Sequence, residues 1–414
     1  MNANPGLPDS PRTTVVAVVA ATTAAQVASV LGTTVFPVIA PELAASLDLD
    51  ASLVGYQVSL IYGVGMAATV FAGIPVQRWG ACRTTQVGLA LGAAAMLLAM
   101  TSNVAALVGA SVLLGVGLSV MPAASSHLLF RFSPPANRNF IFGLKQTGIP
   151  IAWVVMAVVA PPIALGFGWR WALAVVLVAT LATAAAMQRW RDAWDDDRGR
   201  VTPHGGGFAA AVGTVWRHAP LRWISVTSFF FSFLQMSVAT FAVTMLVEEM
   251  GYQLVAAGFL LSLMHAVGAA GRIFWGWVAD AIDDGLRVLV GLAWTMIACC
   301  GTLAFLSPAW PAWLVTVLFA VFGASAVGWN GIFFAEAARH SPHGRVSVGT
   351  GGAMAWNYAG VLAGPAVFAT AYQLVGSYAA TIGTLTLAGG AGLLALRLAR
   401  RAARAQSPDG HAVR

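Results

Sequence analysis

Charge is scarce in this chain. Of its 414 residues only 9% are Asp, Glu, Lys or Arg, against about 25% in a soluble globular protein. Lysine occurs once, at Lys145, and the other basic residues are arginines. The 15 carboxylates are few, and none falls at the middle depth of an apolar run. Cysteine is rare too: Cys82, Cys299 and Cys300. Three thiols, two of them adjacent in an apolar run, give neither a disulfide framework nor metal-ligand spacing. There is also no phosphate-binding glycine loop, no nucleophile elbow and no HExxH pair. These absences argue against an enzyme, a sensor with an appended soluble domain, or a metalloprotein. No cofactor and no metal are expected.

Apolar sequence is what the chain has in abundance. Hydrophobic residues make up 58% of it, and the mean hydropathy is +0.78. Runs of about 20 apolar residues are long enough to cross ~30 Å of hydrocarbon as helix. Twelve such runs are read at 14–38, 53–75, 84–101, 105–130, 139–166 and 170–187, then at 221–246, 254–278, 288–307, 311–337, 348–374 and 378–398. The fold class is therefore an all-α, multi-pass membrane protein. The first run is too long, and its only preceding basic residue is Arg12, so it is not expected to be a cleaved signal peptide.

Charge also orients the spans. With the N-terminus in the cytoplasm, every basic residue except Lys145, Arg170 and Arg272 falls on the cytoplasmic side, while Glu42, Asp48, Asp50, Glu248 and Glu249 fall outside. That asymmetry follows the positive-inside rule, places both termini in the cytoplasm, and suits the inner membrane of a bacterium. It also accounts for the net charge of +7 without a nucleic-acid partner.

The chain repeats itself. Residues 55–80 align without a gap on 258–283, with Gly55/Gly258, Ser59/Ser262, Gly65/Gly268 and Gly73/Gly276 coinciding. A second echo pairs RFSPPANR at 131–138 with RHSPHGR at 339–345. Two six-helix units of common origin follow: residues 1–187, a solvated cytoplasmic linker at 188–220, residues 221–400, and a cytoplasmic tail at 401–414.

The stretch GIPVQRWGACR from Gly73 to Arg83 resembles the loop signature between the second and third helices of the major facilitator superfamily. Arg78, Gly80 and Arg83 fit it, but Gln77 stands where an acid is expected. The second copy, GWVADAIDDGLR, supplies that acid as Asp280. The resemblance implies two six-helix bundles that rock about a midplane site. Helices 1, 4, 7 and 10 would line the cavity, and helices 2, 5, 8 and 11 would form the interface between bundles.

Within that frame Lys145 and Arg272 stand out. A charge near the bilayer centre costs roughly 2.5–3.5 kcal/mol on insertion scales and usually faces a cavity. Lys145 lies seven residues into the fifth run and Arg272 eight residues before Asp280, which at 1.5 Å per residue puts both ~10–12 Å from the cytoplasmic face. Two cations facing each other across the bundles, without a buried acid, suit an anionic guest. The context GRIFWGWVAD resembles the helix-8 arginine of monocarboxylate and oxalate–formate porters, which pairs with a carboxylate. GLKQTG resembles helix 5 of cyanate-permease-type proteins.

Other candidates for the substrate site are His265, Gln26, Tyr62, Asn330 and Asn357, with His265 as the side chain best placed to carry a proton. Arg78, Asp280, Glu336 and Arg339 are candidates for a cytoplasmic gate. The expected function is secondary transport of a small organic anion, a monocarboxylate or aromatic acid, by proton symport or exchange. The expected transporter is a monomer in the lipid bilayer. The alternative is a proton-driven drug or metabolite efflux antiporter, which ordinarily has an embedded acid and a glycine–proline motif in helix 5.

Overall fold

A computed structural model describes residues 12–134, 138–199, 208–342 and 346–406. The linker stretch PHGGG, the PAN and HGR triplets of the two loop echoes, and most of the 401–414 tail lie outside the described residues. Twelve helices are long and apolar enough to span a membrane. They are α1 (Val15–Val38), α2 (Ala51–Thr69), α3 (Ala81–Ala99), α4 (Val104–Phe132), α5 (Ile141–Phe167) and α6 (Trp169–Trp194) in the first half. The second half has α7 (Ala219–Glu249), α8 (Leu254–Ile282), α9 (Gly285–Leu303), α10 (Ala312–Arg339), α11 (Val348–Val375) and α12 (Tyr378–Ala405). No strand occurs among the described residues.

Each half is a six-helix bundle, and the bundles meet along two helix pairs, α5 against α8 and α2 against α11. The internal repeat explains why both pairs are tight. A Cβ on Gly55 would lie 2.5 Å from the Pro365 carbonyl of α11, and one on Gly258 would lie 2.3 Å from the Ala157 carbonyl of α5. The aligned glycines thus do the same job at the two symmetry-related crossings, where only a bare Cα admits such close backbone approach. Nearby, Ser59 accepts from the Ala366 N–H at 3.0 Å, and the Tyr56 and Thr370 hydroxyls are 2.9 Å apart. These contacts cluster at the end of the molecule away from the linker.

Two departures from the sequence reading concern the linker side. The segment after residue 187 was expected to be solvated, but α6 runs on to Trp194, and Trp194 and Asp195 are buried. The reason is local chemistry at the start of α3. Gly80 has φ +91° and leaves the first N–H groups of α3 facing outward. The Asp195 carboxylate accepts two of them, from Cys82 at 2.7 Å and Arg83 at 2.9 Å. A carboxylate is therefore present at this helix end despite Gln77, contributed by the post-α6 segment. In the second half Asp284 caps α9 by accepting from the Arg287 N–H at 2.8 Å. Beyond the break, residues Phe208–Arg217 of the linker are also helical.

Candidate functional site

The first half contributes Lys145. Pro150 has no N–H to give the Gln146 carbonyl four residues earlier, so α5 is interrupted at Thr147. There the Thr147 N–H bonds to the Leu144 carbonyl at 3.1 Å instead. Directly after the break, Gly148 lies against α1, where a Cβ would come within 3.3 Å of the Gln26 side chain. The close approach brings the Lys145 ammonium onto Gln26, and Nζ donates to Oε1 at 2.6 Å. Lys145 is only 6% exposed. Its one partner among the described residues is a neutral amide, which accepts a hydrogen bond without neutralising the charge.

The second half contributes Arg272 from α8. Helix α10 is interrupted by a turn at 327–329, and the Val327 carbonyl in that turn accepts Arg272 Nε at 3.0 Å and Asn330 Nδ2 at 3.2 Å. Asn330 Nδ2 also approaches Gln235 Oε1 of α7 at 3.4 Å, and Trp329 Nε1 donates to the same oxygen at 3.1 Å. Arg272, Asn330, Trp329 and Gln235 thus form one hydrogen-bonded group across α7, α8 and α10. The guanidinium is held through Nε, leaving its two terminal nitrogens without a hydrogen-bond partner among the described residues. Neither Lys145 nor Arg272 forms an ion pair there.

The relation between the halves is set by α5 and α8. His265 stacks on Trp153, with ring centroids 4.6 Å apart and planes within 9°. From that stacked rung, Lys145 is eight residues along α5 and Arg272 seven along α8, towards the same end of the molecule because the helices run antiparallel. At 1.5 Å per residue the displacements are ~12 and ~10.5 Å. His265 itself is buried, and its Nε2 has no hydrogen-bond partner among the described residues.

The remaining candidates do not all join this group. Tyr62 of α2 is partly buried and meets Thr33 of α1. Asn357 of α11 donates to Ser232 of α7 at 2.6 Å. No described hydrogen bond links either residue to the two cations. Of the four gate candidates, Glu336 and Arg339 stay within the second half: Arg339 lies 3.9 Å from Glu336 and 3.7 Å from Asp283. Glu336 also approaches His340 at 3.4 Å. Asp280 and Arg78 are exposed and make no ion pair among the described residues. No ion pair within this set joins the two halves. His127 serves the linker, bonding Asp197 at 2.7 Å.

Sequence reasoning missed the two helix interruptions and the Val327 carbonyl. The signals were present as Gly148 with Pro150, and as Gly328 followed by Gly331. The two interruptions are not repeat-related, since α4 and α11, the counterparts of α10 and α5, are continuous, but each lies beside one of the two cations.

The profile of the Major Facilitator Superfamily matches residues 22–365. The chain belongs to this superfamily. An uncharacterised MFS-type transporter of Mycobacterium tuberculosis is 25% identical over 226 residues, covering 54% of this chain and 49% of that protein. Monocarboxylate transporter 13 of Bos taurus is 26% identical over 256 residues, 58% of this chain and 56% of that one. The chain thus spans about half the length of these curated relatives. Among solved structures, a peptide transporter POT superposes with a TM-score of 0.76 at 14% identity, with 96% of each chain covered. An inward-facing bacterial homologue of the human lysosomal transporter Spinster gives 0.71 at 15% identity, covering 95% of this chain and 98% of that one. With twelve membrane-spanning helices the chain is a multi-pass membrane protein of this superfamily, and these structures support its fold alone.

Proposed function

We propose that this MFS transporter moves a small organic anion, a monocarboxylate or aromatic acid, bound between Lys145 and Arg272. The observation that carries the reading is that both side chains come from apolar spans of opposite bundles, beside interrupted helices, without a carboxylate partner among the described residues. A cation in such a place needs a counter-charge, and a substrate carboxylate supplies one. The terminal nitrogens of Arg272 present a planar fork to a carboxylate. The Lys145 ammonium, with one N–H used by Gln26, keeps two donors for the same guest. Asn330 and Gln235 beside Arg272 would orient the body of the substrate.

The remaining elements of the proposal follow the charge pattern. The linker side faces the cytoplasm of a bacterial cell, and the contacts between halves at the opposite end then make this an inward-facing arrangement. Transport is coupled to protons by symport or exchange, with His265 as the carrier. That side chain sits at the α5–α8 crossing, which must open and close as the bundles rock, so its partnerless Nε2 would meet water in one state only. The protein acts as a monomer.

Benzoate and benzamide differ in charge far more than in shape, so they test the reading directly. Benzoate should raise the thermal unfolding temperature of the purified transporter, and benzamide should not. Equal stabilisation by the two would rule out an anion site.

A further inference from the structure

A second group of cations, separate from that around Lys145 and Arg272, lies at the linker end of the first bundle. Arg78, Arg83, Arg191 and Arg198, with Trp79 and Val87, line a recess of about 420 Å³. None of the described lining residues is acidic. Of the acids close in sequence, Asp192 is exposed, and three are engaged: Asp195 with the backbone N–H groups of Cys82 and Arg83, within reach of the Arg191 charge, Asp196 with Arg131 at 2.5 Å, and Asp197 with His127 at 2.7 Å. None of the four arginines makes an ion pair among the described residues. Arg191 Nε is buried with no hydrogen-bond partner among the described residues. A buried guanidinium N–H left unmade is costly, and here it belongs to a wall of like charges.

We infer that this recess holds the phosphate of an anionic phospholipid headgroup. One phosphodiester would relieve the repulsion among the four guanidinium groups, and each of them can donate to a phosphate oxygen. The volume exceeds that of a bare phosphate, since at ~30 Å³ per water it would hold more than ten waters, so there is room for a glycerol moiety as well. Its surroundings favour a lipid over a soluble ion. The recess is built where α3 begins and α6 ends, Trp79 beside it is 49% exposed, and Arg189 stacks on Trp190 at 3.7 Å. Exposed tryptophan at the end of a span marks the level of lipid headgroups. If the linker side is cytoplasmic, the recess also faces the leaflet whose negative potential attracts arginine clusters. A bound headgroup would tie the α2–α3 loop, through Arg78 and Arg83, to the post-α6 segment, through Arg191 and Arg198.

The test uses the full chain in a zwitterionic detergent, titrated with phosphatidylglycerol, phosphatidylcholine or inorganic phosphate while thermal unfolding is followed. The variants are Arg78→Gln with Arg198→Gln, both at exposed side chains, and the charge-preserving pair Arg78→Lys with Arg198→Lys. Phosphatidylglycerol should stabilise the wild type, and phosphatidylcholine should not. The glutamine pair should weaken the apparent affinity for phosphatidylglycerol by roughly 10- to 30-fold, and the lysine pair should retain most of it. Stabilisation by phosphatidylcholine equal to that by phosphatidylglycerol would overturn the proposal. So would phosphatidylglycerol binding undiminished in the glutamine pair. A full shift from inorganic phosphate alone, lost in the same variant, would overturn the lipid assignment in favour of a free anion.

Discussion

Lys145 was visible in the sequence because nothing else resembles it: one ammonium, inside an apolar run. Its acceptor was not visible. Gln26 is 119 residues away, and the pairing depends on Gly148 letting α1 and α5 approach, which is a tertiary fact. The pairing makes a prediction. Gln26→Leu removes the acceptor and leaves a buried ammonium without a hydrogen bond, a loss of about 1.5–3 kcal/mol for a charged group. The ligand-free variant should unfold at a lower temperature than wild type. Benzoate should then stabilise the variant more than it stabilises wild type, because the anion becomes the only partner of Nζ. Calorimetry of both proteins with and without benzoate checks this. Asp195 offers a second residue-level test. Burial pushes its carboxyl above the usual 3.8, against the opposing pull of the Cys82 and Arg83 N–H groups and of the Arg191 charge. The folded chain therefore binds that proton more tightly than the unfolded one, and this group's contribution to stability declines as pH rises from 3.8 through the raised value. Asp195→Asn should flatten that decline while keeping an acceptor for α3. Asp195→Ala, which leaves the helix end uncapped, should cost about 1 kcal/mol. Unfolding midpoints across pH 3–8 distinguish the two.

At the scale of elements, the internal repeat was legible because it is written in glycines, and the structure gives those glycines a common task. Gly55 and Gly258 sit where the bundles cross most closely, each under a backbone carbonyl of the partner helix. Gly258→Val should therefore separate α8 from α5 at the end away from the linker. Cysteines introduced into that region should become more reactive to a membrane-impermeant thiol reagent in the variant, and unchanged labelling would show that the crossing tolerates the side chain. The interruptions in α5 and α10 were harder to read, because a proline or glycine inside a long apolar run fits an unbroken span equally well. Pro122 of α4 and Pro365 of α11 lie within continuous helices. The post-α6 segment misled for a different reason. Its composition is polar, yet Trp194 and Asp195 point inward to serve the start of α3, and composition carries no direction.

For the whole molecule, twelve spans in two bundles followed from hydropathy and repetition alone, because a helix is the one open-chain solution to backbone hydrogen bonding in hydrocarbon. Rocking of these bundles would expose His265 alternately, since it lies on the α5–α8 crossing. In vesicles, an inward proton gradient should drive benzoate accumulation by the wild type, and His265→Gln should abolish the dependence on the gradient while leaving exchange of labelled for unlabelled benzoate. The central claim, that one anion is held by cations from both halves, is tested most directly by a double-mutant cycle on benzoate binding. Each charge-assisted contact is worth about 1.5–3 kcal/mol, so Lys145→Gln and Arg272→Gln should each weaken the affinity by roughly 10- to 150-fold. The double variant should lose clearly less than the product of the two, because either cation alone can no longer hold the guest in the shared geometry. Wild-type affinity in either single variant would contradict the account.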